Sequence, residues 1–207
     1  MDGYQYQWGN HRNLNRLHCT GSAVDEDDGI LSMQQDIPEF KAFLEILLDT
    51  LPEGGRQVAV ETGMGDGASH LVWKLLFYNV ITVELKPAPA RRLLAGMHDV
   101  GGSWVVCGDA LDPAVSETVK EMVKQVDFLF IDDGHTREQL EADFRNYEPM
   151  VRSGGLIAIH DTKDYPDVTG FLDLMWSGEH EMSERVRGCP RNIVQPEHFG
   201  ITWYQKP

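Results

Sequence analysis

The chain has 207 residues, with 18 lysines and arginines against 33 aspartates and glutamates, a formal net charge of −15. That length suits one α/β domain, alone or with an arm, and a 42% hydrophobic, 25% charged composition excludes wholesale disorder. The acid excess argues against an unassisted nucleic-acid binder, because phosphate contacts need clustered Lys and Arg.

Three widely spaced cysteines (Cys19, Cys107 and Cys189) form no CxxC pair, so neither a zinc ribbon nor a disulfide framework is expected. Free thiols in a reducing compartment are the simpler reading. No apolar run approaches a membrane span, and Met1–Gln5 lacks the basic and apolar regions of a signal peptide. A cytoplasmic protein is the expectation.

Residues 1–36 carry Tyr4, Tyr6, Trp8 and the run Asp25-Glu26-Asp27-Asp28 but no sustained apolar period, which predicts an arm or lid. The tyrosines and the tryptophan can stack on a flat substrate or form a dimer arm. Residues 37–207 read as the folded domain. Asp36-Ile37-Pro38-Glu39 is a helix-start pattern, and Phe40, Phe43, Leu44, Leu47 and Leu51 follow at helical spacing until Pro52–Gly55.

Strands are predicted at Gln57–Glu61, Val80–Leu85, Ser103–Cys107, Val126–Ile131 and Gly155–His160, all short and apolar, as in a parallel sheet buried on both faces. Amphipathic stretches near 68–78, 87–98, 112–125 and 136–150 separate them; the last opens with the capping-box pattern Thr136-Arg137-Glu138-Gln139. Asn192–Val194 and Phe199–Tyr204 read as a terminal hairpin. The expected fold is therefore α/β, Rossmann-like and doubly wound, with a mostly parallel sheet and an antiparallel C-terminal edge hairpin.

Five acids fall at strand ends: Glu61, Glu84, Asp109, Asp132 and Asp161, spaced 23, 25, 23 and 29 residues apart, one βα unit each. In an open α/β sheet the ligand crevice lies outside those ends. A lone Asp in a βα loop is commonly a helix cap, but five in register gather like charge, which folding alone does not reward. The first βα turn, Glu61-Thr62-Gly63-Met64-Gly65-Asp66-Gly67, has GxGxG spacing rather than the GxGxxG of NAD sites, and no P-loop Lys-Ser/Thr pair follows. Its glycines permit positive φ and close approach of a ligand. Glu84 is placed to accept ribose hydroxyls, as in NAD and S-adenosylmethionine folds alike, and Asp109 to meet an adenine amino group.

Glu61–Gly67, Val83-Glu84, Gly108-Asp109-Ala110 and Phe130-Ile131-Asp132 resemble the successive motifs of class I S-adenosylmethionine-dependent methyltransferases. Phe130-Ile131-Asp132-Asp133-Gly134-His135-Thr136 and Gly154–Asp161 are similar to the metal-dependent small-molecule O-methyltransferases, nearest the branch with cephalosporin-hydroxylase-like and macrolide-sugar enzymes. The likeness spans residues 37–204. It implies cofactor contacts by Glu61, Gly63, Met64, Gly65, Gly67, Ser69, Glu84, Asp109, Ala110 and Asp132. It also implies a divalent metal, Mg or Mn, on Asp132, His160 and Asp161, with His135 as general base toward a hydroxylated small-molecule acceptor.

His160 departs from the oxygen donor usual at its position. As a ligand it would tilt the site toward a softer transition metal; otherwise it does not ligate, and Asp133 is an alternative. His135 can instead be a loop-bonding neighbour of the helix cap. His70, Trp73 and Phe77 are most simply core or surface, and Met175 and Trp176 either line a pocket or pack.

Three other readings use the same residues. His135, His160 and an Asp can form a two-His, one-carboxylate iron site of an oxygenase. An NAD-dependent oxidoreductase is disfavoured by the glycine spacing. A non-catalytic cofactor-binding or assembly protein on the same fold is the third. Acceptor specificity is expected in residues 1–36, 133–136 and 162–190; a homo-oligomer is compatible with the sequence.

Overall fold

Asp36 caps the first helix, its Oδ1 accepting the Glu39 N–H at 3.0 Å. In the computed structural model, which describes residues 34–86, 102–194 and 199–207, that helix (α1) spans Ile37–Thr50. The expected helix near 87–98, the arm up to residue 33 and Cys19 lie outside the described residues.

The strands are β1 (Val58–Thr62), β2 (Asn79–Glu84), β3 (Ser103–Cys107), β4 (Val126–Ile131), β5 (Val151–Ile159), β6 (Asn192–Val194) and β7 (Ile201–Gln205). They form one sheet in the order β3-β2-β1-β4-β5-β7-β6. The first five are mutually parallel, and β7 pairs antiparallel with both β5 and β6. The order reverses between β1 and β4, which makes the carboxyl ends of those two strands the switch point of the sheet.

The expected Rossmann-like fold with its edge hairpin is therefore present. The fifth strand is longer than its apolar run suggested. It starts at Val151, where pairing slips from Val126↔Val151 to Phe128↔Leu156 and Gly154 takes a positive φ. Arg152 holds that early segment, its Nε donating to Asp127 Oδ1 at 2.6 Å.

Helices α2 (Ala68–Leu76), α3 (Pro113–Met122), α4 (Arg137–Tyr147) and α5 (Pro166–Ser177) complete the main elements. None among the described residues is long and apolar enough to cross a membrane. The α4 capping box forms as its sequence predicts, Thr136 and Gln139 bonding reciprocally.

Alternation along β4 divides the core. Leu129 and Ile131 face α4 and α5, while Phe128 and Phe130 face α1 and α2. On the second face Phe40, Phe43, Trp73, Phe77, Phe128 and Phe130 interlock, with Trp73 and Phe128 edge to face at 4.9 Å and Phe77 stacked on Phe128 at 5.6 Å. Trp73, Phe77 and Met175 are thus core residues, and Trp176 packs partly buried against the core.

This aromatic cluster fastens α1 to the switch point. Phe43 is fully buried, with its ring 5.9 Å from Phe128 and 6.3 Å from Phe130. Phe43→Ala is expected to cost about 3–5 kcal/mol of unfolding free energy, read from the denaturant midpoint.

Candidate active site

The glycine turn between β1 and α2 is shaped for close approach. Gly63 adopts φ +79, and a Cβ there would lie 2.1 Å from the Asp132 carbonyl oxygen, so only glycine lets the β1 and β4 loops meet. Gly65 and Gly67 also have positive φ, and α2 starts directly after Gly67. The crevice above the turn is lined by Gln34, Gln35, Met64, Gly65, Asp66, Ala68, Ser69 and Asp132. The Gln35 amide donates to Asp132 Oδ2, so the end of the N-terminal segment lies across this crevice.

Glu84 ends β2 and ties the turn down: one carboxylate oxygen accepts the Met64 N–H at 2.9 Å, the other the Lys86 N–H at 2.8 Å. Asp109 is exposed, and its Oδ1 accepts the Leu111 N–H at 2.9 Å. Asn146 of α4 holds the same loop by donating to the carbonyls of Ala110 and Leu111.

Glu61 differs from the expectation that it faces a ligand. It is 0% exposed, and its oxygens accept from Trp73 Nε1 at 2.8 Å and Thr82 Oγ1 at 2.7 Å. Burial pushes its carboxyl up to about 7 against the lowering effect of hydrogen bonds from Ser69, Thr82 and Trp73. Glu61 and Ser69 thus hold the floor of the turn. His70 extends this buried chain, contacting Thr82 Oγ1 at 2.7 Å and Ser103 Oγ at 2.5 Å; burial pulls its pKa down to about 4, so it is neutral.

The second crevice, at the ends of β4 and β5, is lined by Asp132, Asp133, Gly134, His135, His160 and Asp161 among others, and shares Asp132 with the first. Asp161 turns back over it in the left-handed region, φ +58, the one positive φ at a non-glycine among the described residues. Such a conformation costs on the order of 1 kcal/mol or more and concentrates at functional sites. It places Asp161 Oδ2 2.6 Å from His135 Nε2 and 3.2 Å from His160 Nδ1. Burial would raise the Asp161 carboxyl, but hydrogen bonds from His135 and His160 outweigh it and hold the group well below the usual carboxylate range.

His135 is raised, chiefly by its hydrogen bond to Asp161 and against the pull of burial. Its ring stacks on Tyr165 at 4.0 Å. His160 sits deeper, with Nδ1 also 3.0 Å from Asp132 Oδ1. Burial would lower its pKa, but the Asp132 charge, hydrogen bonds to Asp132 and Asp161, and the nearby Glu39 carboxylate raise it well above the ordinary value.

Asp132, His135 and Asp161 each present a ligand atom within 4.8 Å of the others. Two carboxylates and one imidazole fit a divalent cation. The grouping differs from the expected one in drawing its nitrogen from His135.

Crowding marks the remaining acids. Asp133 is raised by burial and by the charges of Glu84, Asp109 and Asp132. Asp143 of α4, buried beneath them, is pushed well above the usual range by burial and by Asp133 and Asp109. Sequence reading did not find Gln35, Glu39, Asp143, Asn146 or Tyr165. The Asp-x-x-Glu pattern that marked Glu39 as a helix start was its one trace.

Residues 60–162 match the family described as a methyltransferase domain. This segment is similar to methyltransferase domains, and the sheet around it has the Rossmann-like methyltransferase fold. Solved structures share the fold at low identity. The fibrillarin pre-rRNA processing protein of Methanococcus jannaschii superposes with a TM-score of 0.56 at 20% identity, over 75% of this chain and 69% of its own. MycE of the mycinamycin biosynthetic pathway, solved with Mg and S-adenosylhomocysteine, gives 0.57 at 17%, over 78% of this chain and 49% of MycE, so the chain spans about half of that protein. The O-methyltransferase NovP gives 0.57 at 12%, over 80% and 76%. No curated protein matches the chain by sequence.

The Glu61 proton has a measurable signature. With an ordinary value of 4.5 and a folded value of about 7, the folded domain keeps a proton that the unfolded chain releases. The associated stability is complete below the unfolded value and is lost as pH rises through about 7. Denaturant titrations from about pH 5 to about pH 8 should show the wild type losing about 2.5 kcal/mol more than Glu61→Gln.

Proposed function

We propose that the chain transfers the methyl group of S-adenosylmethionine to a hydroxyl of a small molecule, assisted by a divalent cation. The observation that carries this reading is the junction of two crevices at Asp132, one over the glycine turn and one over the His135–Asp161 pair.

In this reading the glycine turn and the carboxylates of Glu84 and Asp109 receive the cofactor. Asp132 and Asp161 hold the cation, Mg or Mn being favoured by the two carboxylates. A bound cation would stabilise the acceptor hydroxyl in its deprotonated form. Asp161 accepts the Nε2–H of His135, which fixes the tautomer and leaves Nδ1 to take the acceptor proton. Tyr165 stacks on the ring and limits its rotation. The acidic crevice suits a sulfonium cofactor and a cation, and the charge of −15 favours a small acceptor over a polyanion.

A second reading makes His135 the third ligand, since it belongs to the Asp132–His135–Asp161 group. One variant separates the two. Calorimetric titration of the wild type should show S-adenosylmethionine binding and a Mg- or Mn-dependent heat. With His135 as base, His135→Ala lowers kcat on a hydroxylated acceptor by about 10²–10⁴-fold and leaves cation affinity near that of the wild type. A matching loss of cation affinity assigns His135 to the ligand set. Absence of cofactor binding under any condition refutes the function.

A further inference from the structure

His160 occupies a position at which a metal ligand was expected, yet its surroundings are those of a bridge. Its side chain is 4% exposed and lies between Phe130 and Phe199, with ring centroids 6.1 and 5.9 Å away. The Nδ1 edge meets both carboxylates of the candidate metal site, Asp132 Oδ1 at 3.0 Å and Asp161 Oδ2 at 3.2 Å. A carboxylate only accepts, so a ring nitrogen at hydrogen-bond distance from two of them carries a hydrogen. That nitrogen has no lone pair to offer a cation.

The opposite edge of the ring points away from the crevice. There Nε2 lies 3.6 Å from Glu39 Oε1, and neither buried atom has a hydrogen-bond partner. Glu39 is 0% exposed on the first turn of α1, and its other oxygen accepts the Gly200 N–H at 2.8 Å. A buried carboxylate without a compensating partner is strongly unfavourable. His160 is the ion-pair partner the structure gives Glu39. Their arrangement repeats the logic of ligand-orienting groups behind metal sites, where a hydrogen bond behind the site fixes what stands in front of it.

We infer that Glu39 and His160 form a positioning pair behind the metal carboxylates: Glu39 sets the orientation of the His160 ring, and Nδ1–H of that ring spaces Asp132 and Asp161 for a divalent cation without ligating it. This rests on the metal-assisted reading given above. It assigns to α1, through Glu39, a part in the site that its place before the first strand does not suggest.

Two measurements test it. In wild-type protein titrated with Mg²⁺, long-range ¹H–¹⁵N imidazole spectra should show His160 keeping its Nδ1 proton in the loaded state. Loss of that proton on adding Mg²⁺ makes His160 a ligand and overturns the inference. Glu39→Leu should weaken Mn²⁺ binding by about tenfold or more and leave S-adenosylhomocysteine affinity within about twofold. Unchanged Mn²⁺ affinity, or equal loss of both ligands, overturns the positioning role. The spectra use the wild type, so they decide the matter even where Glu39→Leu does not fold. A wild-type protein that binds neither Mg²⁺ nor Mn²⁺ refutes the metal reading itself and the pair with it, a result distinct from either variant outcome.

Discussion

Like-charge crowding at the carboxyl edge of the sheet is the constraint around which this domain is arranged. Glu84, Asp109, Asp132, Asp133 and Asp161 gather at or just beyond strand ends, with Glu61 and Asp143 buried nearby. Repulsion among them opposes folding unless each charge is neutralised or given a partner. The two most buried acids of this set are raised toward neutrality, Glu61 to about 7 and Asp143 well above the ordinary range. Asp132 and Asp161 receive imidazole partners instead. Asp133 remains raised and short of compensation, which is the electrostatic argument for a cationic ligand at this edge.

The packing of the sheet supplies the geometry for that solution. Alternation along β4 sends Phe128 and Phe130 into the aromatic cluster with Phe40, Phe43 and Trp73, and this seats α1 against the switch point of the sheet. Glu39, one residue before Phe40, is thereby brought beside His160 although 121 positions separate them in the chain. On the same face Trp73 reaches down to Glu61 and couples α2 to the floor of the glycine turn. Stability and site geometry therefore share residues, and a change in the aromatic cluster is felt at the carboxylates.

Much of the architecture was legible because it depends on local periodicity. Apolar runs bounded by turn residues located all seven described strands, and the cap signals at Asp36 and Thr136 marked real helix starts. The early start of β5 was not legible, because Arg152, Ser153 and Gly154 read as a polar turn while long-range bonds to Asp127 and Lys206 draw them into the sheet. Site residues divide in the same way. Glycines and acids at strand ends follow from topology, so the places of Gly63, Glu84 and Asp132 along the crevice edge were legible. Glu61 was placed at the right strand end, but only the tertiary positions of Trp73 and Thr82 turn its carboxyl inward. Glu39, Asp143 and Asn146 sit on helices, where an acid or amide reads as solvated surface until the opposing element is known. His160 is similar: its motif suggested a ligand, and only the folded chain brings Glu39 to 3.6 Å from its Nε2 and Asp132 to 3.0 Å from its Nδ1.

Crystals grown with S-adenosylhomocysteine and soaked in Mn²⁺ would test the account most directly through the anomalous signal of the cation. The account predicts a single peak at the crevice within about 2.3 Å of oxygens from both Asp132 and Asp161, with His160 Nδ1 still bonded to those carboxylates. A peak coordinated by His160, or cofactor bound with no cation at these carboxylates, would contradict it.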